Sequence, residues 1–302
     1  MDGLDDHCQD CESKKCFYGL GKLQSIIFVF LCSICGLLAI GGNLTLLVIF
    51  RYCGTVREKM NNTFVVSLAV ADLMIGLTII PLYICYGVAF EPRWLVKLEG
   101  FLWIVTTSAT THSLSAVSID RLISVIYPLR YHQIITRKRC TVIILLIWLG
   151  SVIFGSPRLF INDFRKLEKL WIACSIATVA VPLLIMCYSY GRIFTIVREK
   201  NGDIINNPNA PREGLVNKKA AVTIGIIVCL FIVTFTPSAV VYFLLLFEDD
   251  VCTEYELNNS WLWVALVSFY HSAFNPWVYG FRHGELRKDF KKLFGKKCKA
   301  FW

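Results

Sequence analysis

The chain has 302 residues, 56% of them hydrophobic and only 18% charged, with a formal net charge of +9. A soluble domain carries about 25% charged residues, so the composition excludes an ordinary soluble domain and points to a membrane protein. The positive excess gathers at the ends of apolar stretches, which argues against a nucleic-acid footprint.

Residues 1–22 are acidic and bear Cys8, Cys11 and Cys16, unlike a cleavable signal peptide. Seven apolar stretches follow: Leu23–Phe50, Met60–Phe90, Gly100–Ile119, Thr141–Pro157, Leu170–Gly191, Ala220–Phe247 and Leu257–Phe281. Six are free of Asp, Glu, Lys and Arg, and Met60–Phe90 contains only Asp72. A helix needs roughly 20 apolar residues to cross a bilayer, and Thr141–Pro157 alone sits at the short limit. The runs do not alternate as strands of a barrel would, so they read as helices. The expected fold is an all-α membrane protein: a seven-transmembrane helix bundle over residues 23–281, with an outer segment at 1–22. Of the 31 Lys and Arg, 22 fall on the side that holds the C-terminus, which makes that side cytoplasmic and the N-terminus extracellular. Between spans five and six, "NGDIINNPNAPREG" (201–214) reads as a flexible cytoplasmic loop. Over 282–302, Leu286, Phe290, Leu293 and Phe294 share a helical face opposite Lys and Arg, as in a short amphipathic cytoplasmic helix. Cys298, beside Lys residues, is a candidate palmitoylation site.

Three polar features stand inside this apolar frame. Asp72 lies in mid-span, where a charge is costly and faces the bundle interior. It fits either a structural hydrogen bond or an ion or proton site. Asn275-Pro276 interrupts span seven, because Pro lacks an N–H and clashes with the preceding turn. Ser272 and Asn275 can satisfy freed backbone groups or reach Asp72. Asp120-Arg121 ends span three, and taken alone is either a switch or a helix end at the membrane surface.

One set of motifs falls in order, one to each span: "GGNLTLLVIF", "SLAVADL", "SIDRLISVIYPLRY", Trp148, Pro182, "FIVTFTP" and "NPWVY". The chain resembles the rhodopsin-class (class A) G-protein-coupled receptors from Leu23 to about Phe294. The resemblance implies an extracellular ligand, a heterotrimeric G protein as cytoplasmic partner, membrane lipids around the bundle and a place in the plasma membrane. Matched by position, Asp120 and Arg121 form the cytoplasmic lock. Tyr190 and Tyr279 rearrange on activation, Phe231 and Phe235 form the aromatic switch, and Pro237, Asn275 and Pro276 are switch landmarks. Asp72, Thr110, Ser272 and Asn275 would form a sodium site, with His271 where Asn is usual. No other cofactor is implied.

The departures are informative. Asp-Arg-Tyr is Asp120-Arg121-Leu122, and the second acid of the lock is Asn217. The amine-anchoring Asp of amine receptors is Trp103, and the retinal Lys is Phe269, so the resemblance excludes both anchors. The pocket expected is Trp103, Thr106, Thr107, Phe235, Ser238, Tyr242, Trp261 and Phe269, open to small-molecule, lipid or peptide ligands. Val96 stands where relatives have the Cys that ties span three to the second outer loop, and that loop, Arg158 to Lys169, holds no Cys. Cys8, Cys11, Cys16 and Cys252 are the disulfide candidates. They allow three full pairings, and Cys16–Cys252 with Cys8–Cys11 is the one expected. Asn258-Asn259-Ser260 is a glycosylation sequon. The competing class is an Asp72-dependent ion or proton transporter, which usually shows an inverted repeat or several intramembrane charges. An enzyme is not expected, because no nucleophile motif or metal cluster is present.

Overall fold

The computed structural model describes residues 19–52, 63–88, 92–161, 164–206, 215–245, 247–248 and 250–282. Seven long helices cover them: α1 (Lys22–Tyr52), α2 (Thr63–Gly87), α3 (Arg93–Ile126), α4 (Arg137–Gly155), α5, α6 (Leu215–Leu245) and α7 (Val251–Arg282). α5 has three consecutive parts, Phe164–Ser175, Ile176–Ala180 and Val181–Asn206. Single turns lie at Tyr131–Ile134 and Pro157–Phe160. No strand occurs among the described residues. The amphipathic helix expected over 282–302 lies outside them beyond residue 282, as do Cys298 and the N-terminal cysteines Cys8, Cys11 and Cys16.

α3 is the central strut, packing on α2, α4, α5 and α6. α1 closes on α2 and α7, and α6 packs along α7. Five helices, α1, α2, α4, α5 and α6, are long and apolar enough to cross a membrane. α3 and α7 fall short by hydropathy because they carry the interior polar groups. Thr106, Thr111, Ser113 and Ser118 of α3 are buried, and so are Ser268, His271, Ser272 and Asn275 of α7. Surrounded by protein rather than lipid, these helices can carry polar groups that find partners inside the bundle.

Proline shapes two helices in the same way. In α2 a wide turn at Ile75–Ile79 precedes Pro81, and the Ile80 N–H reaches back five residues to the Ile75 carbonyl. In α5 the turn Ile176–Ala180 precedes Pro182, and the Val181 N–H bonds the Ile176 carbonyl. Proline supplies no N–H and crowds the carbonyl four residues back, so the ladder widens to absorb it. α6 and α7 instead run on through Pro237 and Pro276. A Cβ on Gly42 would lie 3.0 Å from the Pro276 ring, so glycine lets α1 close on α7 at its proline.

Three boundaries correct the sequence reading. Residues 201–206 continue α5 instead of opening the cytoplasmic loop. A helix already formed extends at little cost, and the first residue that forbids it is Pro208. Within the segment expected as a loop from Arg158 to Lys169, a single turn ends at Phe160 and α5 begins at Phe164. α7 begins at Val251, ahead of the apolar run Leu257–Phe281, so Glu254 and Glu256 stand in its first turns. There Asp250 Oδ2 accepts from the Thr253 N–H at 2.9 Å and caps the helix, as short polar side chains do.

Candidate functional site

Three polar or hollow regions follow one another along the bundle axis. The outermost is a cavity of about 540 Å³ between α3, α5, α6 and α7, within the size range of small-ligand sites. Of the expected pocket residues, Trp103, Thr107, Phe235, Ser238, Tyr242 and Trp261 line it. Thr106 and Phe269 lie just beneath, against a smaller hollow that His271 and Thr110 also line. The Thr106 hydroxyl donates to the Leu102 carbonyl at 2.8 Å. Trp103 packs tilted on Trp261 at 5.7 Å and edge-on to Phe269 at 5.5 Å.

Sequence reasoning missed Glu99, Trp171 and Asn258, which also line the cavity. Glu99 stands one turn before Trp103 and therefore on the same face of α3. The Tyr83 hydroxyl bonds Glu99 and accepts from Trp261 Nε1 at 3.1 Å. Asn258, the sequon residue, is half-buried in α7 against the cavity. Cys252 is disulfide-bonded, its partner lying outside the described residues.

Beside the cavity, Arg158 links the turn after α4 to the outer end of α3. It is buried at 7% exposure, its Nη2 donates to the Val96 carbonyl at 3.2 Å, and it attracts Glu99. A Cβ on Gly100 would sit 2.5 Å from Arg158 Nε, so glycine makes room for the guanidinium. This contact ends on Val96, the position where relatives are expected to carry the bridging cysteine.

The second region surrounds Asp72, which is fully buried. Its Oδ1 accepts from Ser272 Oγ at 2.8 Å and its Oδ2 from Asn275 Nδ2 at 2.7 Å. His271 Nε2 lies 3.7 Å from Oδ1 and 3.1 Å from Ser272 Oγ. His271 Nδ1 faces the Ser268 carbonyl. Asn43 Nδ2 donates to the carbonyls of Ala39 and Ser272, tying α1 to α7. Sodium, a hard cation, requires oxygen ligands. His271 thus puts a ring nitrogen beside Asp72 Oδ1 and Ser272 Oγ, while Thr110 Oγ1 and Asn275 Oδ1 are buried without a hydrogen-bond partner. Phe231 stacks on Phe235 at 4.9 Å and meets His271 edge-on at 5.4 Å. Phe235 lines the outer cavity, so this aromatic column joins the cavity floor to Asp72.

The third region is the C-terminal end of α3. Asp120 is buried, and its Oδ2 pairs with Arg121 Nη2 at 2.8 Å. Its other oxygen accepts from the Tyr131 hydroxyl at 2.8 Å. Burial and the neighbouring Asp120 carboxylate push the Tyr131 phenol well above its ordinary range, so Tyr131 stays a proton donor. Sequence reasoning missed Tyr131, although it stands in the quoted "YPLRY". Tyr190 of α5 packs on the small cluster of Leu122 and Ile193, and its ring lies against Gly225 of α6. The side chains of Asn217 and Tyr279 lie outside the described residues.

The family model described as 7 transmembrane receptor (rhodopsin family) matches residues 42–279. The chain belongs to the rhodopsin family of seven-transmembrane receptors. It is therefore a multi-pass membrane receptor of the G-protein-coupled class. Among curated relatives, the histamine H2 receptor of Cavia porcellus is 26% identical over 257 residues, 78% of this chain and 71% of the relative. The alpha-1A adrenergic receptor of Oryzias latipes is 24% identical over 332 residues, 92% of this chain and 69% of the relative. The adenosine receptor A2a of Homo sapiens is 29% identical over 271 residues, 78% of this chain and 64% of the relative. Membership in the rhodopsin family gives the three regions a common frame: an outer hollow, a polar midplane and an arginine at the inner end of α3.

Proposed function

We propose that this receptor binds a small organic ligand in the outer cavity and that binding releases Arg121 to a heterotrimeric G protein. The observation that carries the reading is the pair of part-buried Arg121 with buried Asp120 at 2.8 Å, at the opposite end of α3 from the cavity. In the closed state Asp120 and Tyr131 hold the guanidinium. A ligand that fits a different arrangement of α3, α5 and α6 shifts the equilibrium toward it by its differential affinity. Phe235, the floor of the cavity, passes the change to Phe231, His271 and Asp72. Tyr190 and Tyr279 then receive the freed arginine at the G-protein face.

Ligand chemistry follows from the lining. Trp103 provides no acid for an amine at that position, and α7 contains no Lys for retinal. The named relatives are histamine, adrenergic and adenosine receptors, so small polar ligands have precedent in the family. The N-terminal segment 1–22 is placed outside the plasma membrane, the bundle spans residues 23–281, and 282–302 is placed against the cytoplasmic leaflet. In this reading Asn258 is the glycan acceptor, Cys298 the palmitate acceptor, and Cys16 the partner of Cys252.

The test is co-expression with a panel of heterotrimeric G proteins in membranes, measuring basal guanine-nucleotide exchange. Exchange above the level of untransfected membranes, abolished by Arg121→Ala at equal surface expression, supports the receptor. No coupling to any G protein, together with Asp72-dependent ion flux in reconstituted vesicles, would favour the transporter instead.

A further inference from the structure

We infer that the outer cavity recognises an organic cation, with its charged group held at Glu99 and its body among the indoles of Trp103, Trp171 and Trp261; this rests on the receptor reading above. The lining of the cavity is asymmetric in charge. Glu99 is its single carboxylate, and no Lys, Arg or His stands among its described lining residues. The Tyr83 hydroxyl bonds Glu99 and accepts from Trp261 Nε1 at 3.1 Å, which places the carboxylate beside the Trp261 indole. Trp103, one turn along the same face of α3, tilts against Trp261 at 5.7 Å. Tyr242 closes the group, 6.5 Å from Trp261. A carboxylate next to several indole faces is the chemistry that holds a cation twice, by charge and by the ring quadrupole.

Arg158 does not already satisfy Glu99 completely. It donates to the Val96 carbonyl, one turn before Glu99 on α3, and does not line the cavity. A carboxylate has about four lone-pair sites, and Arg158 and Tyr83 leave room for a donor from the cavity side. Burial pushes the Glu99 carboxyl up to about 7 against the opposing charge of Arg158, and a cation arriving from the cavity favours the ionised form. The arrangement differs from an acid at position 103: the charge sits one turn further out, and Trp103 becomes part of the wall. A compact amine would reach Glu99 while its ring fills the space among the tryptophans. A neutral ligand of the same shape would gain the ring contacts only.

The experiment uses the full-length receptor purified into lipid nanodiscs, with thermal-shift and calorimetric titration. The probes are phenethylamine, tryptamine and their N-trimethylated cations, each paired with its neutral N-acetyl isostere. The result expected is saturable binding of the cations, with each neutral isostere weaker by about 10- to 100-fold. Glu99→Gln should compress that ratio toward one, while Trp103→Phe should weaken both members of a pair. The ratio is internal to each variant, so a general loss of stability does not imitate the effect. Neutral isosteres that bind as tightly as the cations, or a ratio unchanged in Glu99→Gln, would overturn the inference. So would the absence of saturable binding by every cation up to on the order of 1 mM. Arg121-dependent nucleotide exchange, measured on the same preparations, shows separately whether the receptor reading survives such a failure.

Discussion

Removing the Tyr131 hydroxyl should raise basal signalling. Tyr131→Phe deletes one hydrogen bond, the 2.8 Å contact to Asp120 Oδ1, and leaves the ring and the 2.8 Å Arg121 pair in place. A hydrogen bond to a charged acceptor contributes about 1.5–3 kcal/mol. Tyr131 is only half-buried, so water recovers part of that, and about 1–2 kcal/mol remains as the bias toward the closed state. One to two kcal/mol corresponds to about a 5- to 30-fold shift in a two-state equilibrium. A receptor open about 1% of the time without ligand would then be open roughly 5–25% of the time. The assay is basal nucleotide exchange in membranes, normalised to receptor number. Asp120→Asn should raise basal exchange at least as much, and adding Tyr131→Phe to it should change little, because both act on one carboxylate. Unchanged basal exchange in a well-expressed Tyr131→Phe receptor, or fully additive effects in the double variant, would refute this account of the lock.

Arg158→Ala should lower the apparent melting temperature by roughly 6–12 °C, because losing its attraction to Glu99 and its bond to the Val96 carbonyl costs about 3 kcal/mol. Gly100→Ala should act in the same direction by displacing the guanidinium, and a thermal melt in detergent checks both; wild-type stability in both would remove Arg158 as the tie between α3 and α4. His271→Asn should create sodium sensitivity, since it replaces the imidazole over Asp72 with an amide oxygen. Stability measured in sodium chloride against choline chloride should differ in the variant and not in the wild type.

Much of the fold was legible because bilayer crossing demands long uncharged runs, and those runs are visible in one chain. The ion pair at the end of α3 was legible because Asp120 and Arg121 are adjacent. The Asp72 cluster was legible because Ser272 and Asn275 stand one turn apart around a charge that requires partners. Tyr131 was hidden because its contact depends on the turn after α3 folding back, which no periodicity encodes. Glu99 and Arg158 were hidden for a related reason. They sit at helix ends, where a charge is ordinarily solvated, and only the packing of the turn after α4 on α3 at Gly100 buries Arg158. The one trace in the sequence was Gly100 opposite a helix-end arginine, together with the missing cysteine at Val96. The ends of α5 and α7 were misplaced because polar residues such as Asn201, Glu254 and Glu256 read as loop while the helical ladder simply continues past the membrane surface.

The central claim is that Arg121, once freed from Asp120, drives nucleotide exchange on a G protein. Guanine-nucleotide exchange should be measured on purified G proteins with Asp120→Asn receptor and with Asp120→Asn/Arg121→Ala receptor, which needs no ligand. The account predicts fast exchange with the first and none above the receptor-free rate with the second. Equal exchange with both variants, both folded by thermal melt, would contradict it.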